Sequence, residues 1–152
     1  MAAPAILVDA DACPVKDEVY KVALRHAVPV TIVSNSPIRI PAHPLLSRMV
    51  VGDGFDAADD WIAERTNARS VVITSDILLA DRCLKAGAAV IASNGKPFTL
   101  ASIGGAIATR AIMADLRADG SAIGGPPPFS KTDRSRFLSA LDEVLVRLKR
   151  AG

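Results

Sequence analysis

Apolar residues along this chain fall into two alternating rhythms. Short unbroken runs such as Ile6-Leu7-Val8 and Val71-Val72-Ile73 end abruptly at polar residues, the pattern of strands buried on both faces. Between such runs, apolar positions recur at helical spacing, as in Val15, Val19, Val22, Ala23 and Ala27. The first strand therefore ends at Asp9, and Pro14 to Ala27 is expected to be helical, with Asp11 as N-cap and Pro14 in the first turn. Val28 to Val33 reads as the second strand. A connection carrying Pro37, Pro41 and Pro44 leads to a short third strand near Met49 to Val51. Asp56 sits where it would cap a helix running through Ala58, Trp61 and Ile62 to about Ala68. Val71 to Thr74 is the fourth strand, Asp76 to Lys85 a helix stopped by Gly87, and Ala88 to Ala92 the last strand. Leu100 to Ala118 is the longest helix, and Gly120 to Ser130 breaks it from a final helix over Arg134 to Arg150.

Strands alternating with helices call for right-handed parallel crossovers, so the expected fold is α/β: an open, mostly parallel sheet covered by helices on both faces. The length of 152 residues suits one domain spanning 1–152. Half the residues are hydrophobic but only 4% are aromatic, so the interior is expected to be aliphatic. No apolar run approaches the roughly 20 residues that span a bilayer, which predicts no membrane partner. The first residues lack a basic segment and a long apolar stretch, so no signal peptide is read there and a cytoplasmic location is expected. Cys13 and Cys83 lack the spacing of a zinc site and are taken as thiols. Net charge is only +2, yet residues 1–95 carry nine basic against eleven acidic side chains, and residues 96–152 nine against five. An acidic half joined to a basic half suits metal plus phosphate, although ordinary solvated helix faces would produce the same imbalance.

In open α/β sheets ligands bind beyond the carboxyl ends of the strands, so the residues that follow each strand are where chemistry is expected. Asp9 and Asp11 follow the first, Ser34 and Asn35 the second, and Asp53, then Asp56, Asp59 and Asp60, the third. Ser75 and Asp76 follow the fourth, with Asp81 further along its helix, and Ser93, Asn94 and Lys96 follow the fifth. Any one of these aspartates has an ordinary role as a helix cap. Crowded together they would repel one another, and a hard cation such as Mg²⁺ or Mn²⁺ satisfies them more readily than protonation does. Such an ion orients a phosphodiester and generates hydroxide, so no protein nucleophile is required. Cys13 lies beside the cluster, but neither His26 nor His43 stands in a motif with it, and a packed thiol is the simpler reading. Neither G-x-x-x-x-G-K-[ST] nor G-x-G-x-x-G occurs, which excludes a P-loop nucleotidase and a dinucleotide-binding dehydrogenase.

The stretches Asp9-Ala10-Asp11-Ala12-Cys13-Pro14-Val15-Lys16, Gly54-Phe55-Asp56-Ala57-Ala58-Asp59-Asp60-Trp61, Thr74-Ser75-Asp76-Ile77-Leu78-Leu79-Ala80-Asp81 and Asn94-Gly95-Lys96-Pro97-Phe98 resemble the YaiI/YqxD family of bacterial proteins. Gly124-Gly125-Pro126 and Phe129-Ser130-Lys131-Thr132-Asp133-Arg134 continue the resemblance over nearly the whole chain. It implies a PIN-like domain, a fold used by metal-dependent nucleases. On that footing Asp9 matches the first-strand acid, Asp59 or Asp56 the helix acid, and Asp76 with Asp81 the later acids. Asp9, Asp11, Asp56, Asp59, Asp76 and Asp81 are then the metal-ligand candidates, with Asp9 and Asp76 closest to the chemistry and RNA as the expected substrate. Ser34, Asn35, Ser75, Lys96, Arg110, Ser130, Lys131 and Arg134 are the candidates for phosphate contacts; among them arginine offers the bidentate fork that phosphate favours.

Two other classes compete. Asp9-x-Asp11, Ile32-Val33-Ser34-Asn35 and the later acids also imitate the haloacid-dehalogenase-like phosphatases, with Asp9 as nucleophile and Asp11 as general acid/base. No lysine lies between Lys21 and Lys85, however, so the cation that scheme needs before its acidic pair has only Arg39 or Lys96 as a substitute. The third class is a non-catalytic, metal-dependent RNA-binding module, which the scarcity of aromatic stacking residues disfavours.

Overall fold

Ile6, Leu7 and Val8 each lose nearly all contact with solvent because successive side chains of a strand point to opposite faces and both faces are covered. Ile6 and Val8 enter one apolar layer and Leu7 the other. The computed structural model describes residues 3–11, 13–52, 54, 56–118 and 129–151, with backbone only for 110, 111 and 113–118. The expectations placed on Asp53, on the Arg110 side chain and on the Gly124-Gly125-Pro126 segment lie outside what is described.

The described elements are β1 (Ala5–Asp9), α1 (Lys16–His26), β2 (Val30–Ser34), β3 (Leu46–Val50), α2 (Ala57–Arg65), β4 (Ser70–Ile73), α3 (Ile77–Lys85), β5 (Ala89–Ile91), β6 (Pro97–Phe98), α4 (Leu100–Ala118) and α5 (Lys131–Ala151). They form one α/β unit around a six-stranded sheet in the order β3-β2-β1-β4-β5-β6, parallel throughout except for the β5–β6 pair. α1 and α5 cover one face through Val19, Val22, Phe137, Leu141 and Leu145. α2, α3 and the start of α4 cover the other through Ile62, Leu79, Cys83 and Ile103. Among the described residues, no helix is long and apolar enough to cross a membrane.

The chain runs outward from β1 to β2 and β3, then returns to the other side of β1 as β4. The gap between the carboxyl ends of β1 and β4 is thus the topological switch point, where the connections leave in opposite directions and open a crevice. β2 and β3 are parallel neighbours without a helix between them; Ile38 and Ile40 of the proline-rich connection pack on the α1/α5 layer in its place.

Five expectations need correcting. The third strand runs Leu46–Val50 rather than near Met49 to Val51, its start hidden because the exposed edge residues Ser47 and Arg48 interrupt the apolar run. α1 begins at Lys16, Val15 occupies its N-cap position with no side-chain cap, and Pro14 lies in the preceding turn, so Asp11 does not cap this helix. α2 stops at Arg65, where the Thr66 hydroxyl donates to the Ile62 carbonyl (2.7 Å). Ala89–Ile91 is not the last strand, because the chain folds back as β6, too short to show a period. α5 begins earlier than Arg134: Ser130 and Asp133 form a reciprocal cap, Ser130 N–H donating to Asp133 Oδ2 (3.0 Å) and Asp133 N–H to Ser130 Oγ (3.2 Å).

Candidate functional site

The switch-point crevice is a cavity of about 350 Å³. Asp9 and Asp11 come from the end of β1, Asp59 from α2, and Thr74, Ser75 and Asp76 from the β4–α3 junction; Cys13, Asn35 and Ser93 complete its polar wall, and Ala58 and Ile73 are apolar. Each acid is placed by the local backbone. β1 delivers Asp9 at the last residue paired with β2, and α2 turns Asp59 inward while its neighbour Asp60 faces solvent. Asp76 is the N-cap of α3, its Oδ1 accepting from the Leu78 and Leu79 N–H groups (2.9 and 3.1 Å).

Thr74 ties two of the acids together. Its buried hydroxyl donates to Asp9 Oδ2 (2.8 Å) and accepts from the Asp76 N–H (3.0 Å). Asp9 Oδ1 and Asp76 Oδ2 carry no hydrogen bond among the described residues, so each of these carboxylates keeps one oxygen for a ligand. Asp11 lies nearer solvent and accepts weakly from the Asn35 N–H (3.4 Å), and Lys16 Nζ anchors the intervening loop through the Cys13 and Ala10 carbonyls (2.9 and 3.3 Å).

The acids feel one another. Burial, and then the charges of Asp76, Asp9 and Asp56, push the Asp59 carboxyl up to about 6. Burial also raises Asp9 above the ordinary carboxylate range, against the lowering effect of the Thr74 hydroxyl, and Asp11 and Asp76 add to the rise. No lysine or arginine among the described residues lines this cavity. Burial raises Cys13 as well, so its sulfur stays a thiol rather than an activated thiolate.

The remaining candidates go elsewhere. Asp56 is exposed at the start of α2, makes no capping bond, and reaches the crevice only through its charge on Asp59. Asp81 pairs with Lys85 one turn along α3 (2.9 Å). Ser34 is buried and donates to the Ser36 carbonyl (2.6 Å), and Ser130 caps α5. Arg134 pairs with Glu18 (2.7 Å) and lies over the Phe129 ring (5.0 Å). Lys131 is exposed at the start of α5, and Lys96 is exposed on the turn between β5 and β6. Asn35 and Ser75 join Asp9, Asp11, Asp59 and Asp76 in the crevice. Thr74 joins the crevice without standing among the sequence candidates, although a hydroxyl closing an apolar run beside Ser75-Asp76 is a signal for it.

Fold and site together define an open α/β protein with an acidic crevice at its switch point. The chain belongs to the YaiI/YqxD family: the family model described as "Uncharacterized BCR, YaiI/YqxD family" matches residues 7–147. A UPF0178 protein of Sphingopyxis alaskensis is 73% identical over 99% of this chain and 98% of its own length. UPF0178 proteins of Nitrobacter winogradskyi (59% identical; 99% of this chain, 96% of the relative) and Azorhizobium caulinodans (62%; 97% and 92%) are similar along almost their whole length. No solved structure matches the chain.

Proposed function

We propose that this chain is a PIN-like nuclease dependent on Mg²⁺ or Mn²⁺, acting on RNA phosphodiesters in the switch-point crevice. The observation that carries the proposal is the convergence of Asp9, Asp59 and Asp76 on one cavity that has no basic side chain among its described lining, with Asp59 pushed up to about 6 by burial and by its acidic neighbours. A site that raises its own carboxylates lacks positive charge, and hard carboxylate oxygens suit a hard cation. Among the described residues no three His, Cys, Asp or Glu side chains are grouped closely enough to hold an ion by themselves. The donor set therefore fits a cation held by one or two carboxylates that keeps several waters, as Mg²⁺ commonly does, with Asp9 and Asp76 the nearest candidates. Bound there, the ion would supply the charge that orients a phosphodiester and lowers the pKa of a water.

The protein's own part is orientation and proton handling. Thr74 fixes the Asp9 carboxylate, and the α3 cap fixes Asp76, so their open oxygens are held without reorganisation. Asp59, titrating near 6, is suited to accept a proton from an attacking water near neutral pH. The phosphatase alternative draws less support, because an aspartyl-phosphate on Asp9 would need a lysine or arginine nearby.

Titration calorimetry with Mn²⁺ on the wild type and Asp9→Asn, followed by labelled single-stranded RNA with and without metal, tests this. Stoichiometric binding by the wild type alone and cleavage only with metal are expected. Absence of Mn²⁺ binding in both proteins sinks the proposal, and trapping a phosphoryl mimic on Asp9 replaces it with the phosphatase.

A further inference from the structure

We propose that the cavity beside the crevice, beyond the end of β5, is a nucleobase subsite that takes the unpaired base next to the reacting phosphate. The proposal rests on the phosphodiester reading of the crevice and adds to it a site for the base of a single strand, whose unstacked bases are free to enter a pocket.

This cavity measures about 440 Å³ and shares Ser75 and Ser93 with the acidic crevice. The two hydroxyls lie 3.3 Å apart, so the shared wall is a polar sill between the spaces. Beyond it the lining changes character: Ile77, Phe98 and Phe129 are apolar, with Asn94 and Lys96 at hand. Two of the four phenylalanines in this aromatic-poor chain meet at one small cavity, where the scarcity of aromatics had argued against base stacking. Aromatic rings give bases a stacking surface, and a lysine nearby offers a point charge for the attached phosphate. Asp133 also lines the cavity; its charge disfavours phosphate at that end and leaves the Ser75, Ser93 and Lys96 side for it.

The lining is held in place before any ligand arrives. Arg134, fastened to Glu18 (2.7 Å), covers one face of Phe129 at 5.0 Å, leaving the other face or the edge for the cavity. The turn carrying Ser93 and Asn94 is closed by Gly95 N–H to the Ala92 carbonyl and Ala92 N–H to the Lys96 carbonyl (both 2.9 Å), and Asn94 Oδ1 accepts from the Lys96 N–H (3.0 Å). Gly95 has φ +86°, and a Cβ there would stand 2.5 Å from the Arg136 carbonyl carbon, so the turn packs directly on the α5 backbone. Preorganised walls lower the ordering cost of binding.

The test compares adenosine 5′-monophosphate with ribose 5-phosphate by calorimetry, with and without Mn²⁺, on the wild type, Phe98→Leu, Phe129→Leu and Lys96→Gln, with thermal unfolding confirming that each is folded. The nucleotide is expected to bind the wild type on the order of tenfold more tightly than the sugar phosphate. The leucine variants should lose that preference, and Lys96→Gln should weaken both ligands in parallel. Equal affinity of the wild type for the two ligands, or a preference that survives both leucine variants, overturns the subsite. If Mn²⁺ fails to bind while the ring-dependent preference persists, the subsite stands and the metal reading alone falls; bound Mn²⁺ without the preference means the reverse.

Discussion

Two sets of aspartates in this protein differ in what their surroundings supply. On the outer surfaces Asp60 pairs with Arg82 (2.8 Å), Asp81 with Lys85 (2.9 Å), and Asp142 with His26 and Arg25 (2.6 and 3.0 Å). Asp142 is held below the ordinary carboxylate range, first by its bond to His26. In the crevice, Asp9 and Asp59 are both raised, and the described lining contributes hydroxyls and an amide but no cation. Adjacent residues on one helix, Asp59 and Asp60, fall on opposite sides of this division. A chain that pairs Asp60, Asp81 and Asp142 and leaves Asp9 and Asp59 crowded at the switch point is destabilised there unless something positive arrives from outside, which is how functional sites commonly trade stability for binding.

The sharpest way to break the comparison is to neutralise a crevice acid and read metal affinity. Asp9→Asn should weaken Mn²⁺ binding by at least about 100-fold, since even outer partners of metal ligands typically cost 10–100-fold. Thr74→Val comes next. It removes the hydroxyl that orients Asp9 and meets the Asp76 N–H, in a buried position where valine fits, and a loss on the order of 10-fold is expected, with Thr74→Ser restoring the affinity. If Thr74→Val binds Mn²⁺ like the wild type, the carboxylate needs no orientation and the role assigned to the hydroxyl is wrong.

Stability against pH separates the populations by sign. Asp59 rises from 3.8 to about 6 on folding, so the folded chain holds that proton more tightly than the unfolded chain. Its contribution therefore falls as pH climbs from about 3.8 to about 6, and the penalty is fully present above that window. Asp142 behaves in the opposite sense: its lowered value stabilises the fold above the unfolded range near 3.8, and this is lost as pH falls through the folded value. Asp59→Asn should accordingly raise the unfolding midpoint at pH 7 and flatten its decline between pH 4 and 7, each kcal/mol appearing as roughly 2–4 °C. Mn²⁺ added to the wild type at pH 7 should recover a similar gain. A midpoint lowered by Asp59→Asn at pH 7 would show that the favourable contacts of this carboxylate, the charge of Arg82 among them, outweigh what burial and repulsion cost it.

Much of this division could be read from the residue order, and the unread part has definite causes. Strands β1 and β4 announce themselves because parallel strands covered on both faces hold unbroken apolar runs, and Asp9 and Asp76 follow from where those runs stop. β6 is two residues long and its partner runs antiparallel, so neither rhythm nor composition marks it. Asp11 reads as a cap from sequence because an aspartate before a proline and a helical pattern is locally indistinguishable from one held by a neighbouring strand; only pairing of β1 with β2 brings the Asn35 N–H to it. Asp56, Asp59 and Asp60 share one local pattern, and helix phase with the tertiary position of α2 decides which of them faces the crevice. The meeting of Phe98 and Phe129 depends on contact between the β5–β6 turn and α5, which no local window contains.

The smallest expected effect bears on whether the two populations are independent. Asp60 and Arg82 are both about half exposed, so their ion pair should contribute about 0.2–1 kcal/mol and weaken further in salt. Asp60→Asn should change the unfolding midpoint by a few degrees at most, and Mn²⁺ affinity by less than about twofold, a difference below about 0.4 kcal/mol. Arg82 also lowers Asp59 through space, and once released from Asp60 its charge is expected to bear more on the crevice side of α2. Any change should therefore favour the ionised form of Asp59 and lower its titration midpoint, which carboxylate shifts measured by NMR on the two proteins would report. A rise in that midpoint after Asp60→Asn would mean that the ion pair holds Arg82 where it favours ionised Asp59, and a loss of Mn²⁺ binding comparable to that of Asp9→Asn would mean that Asp60 acts with the crevice acids; either result would misplace the boundary drawn between adjacent residues of α2.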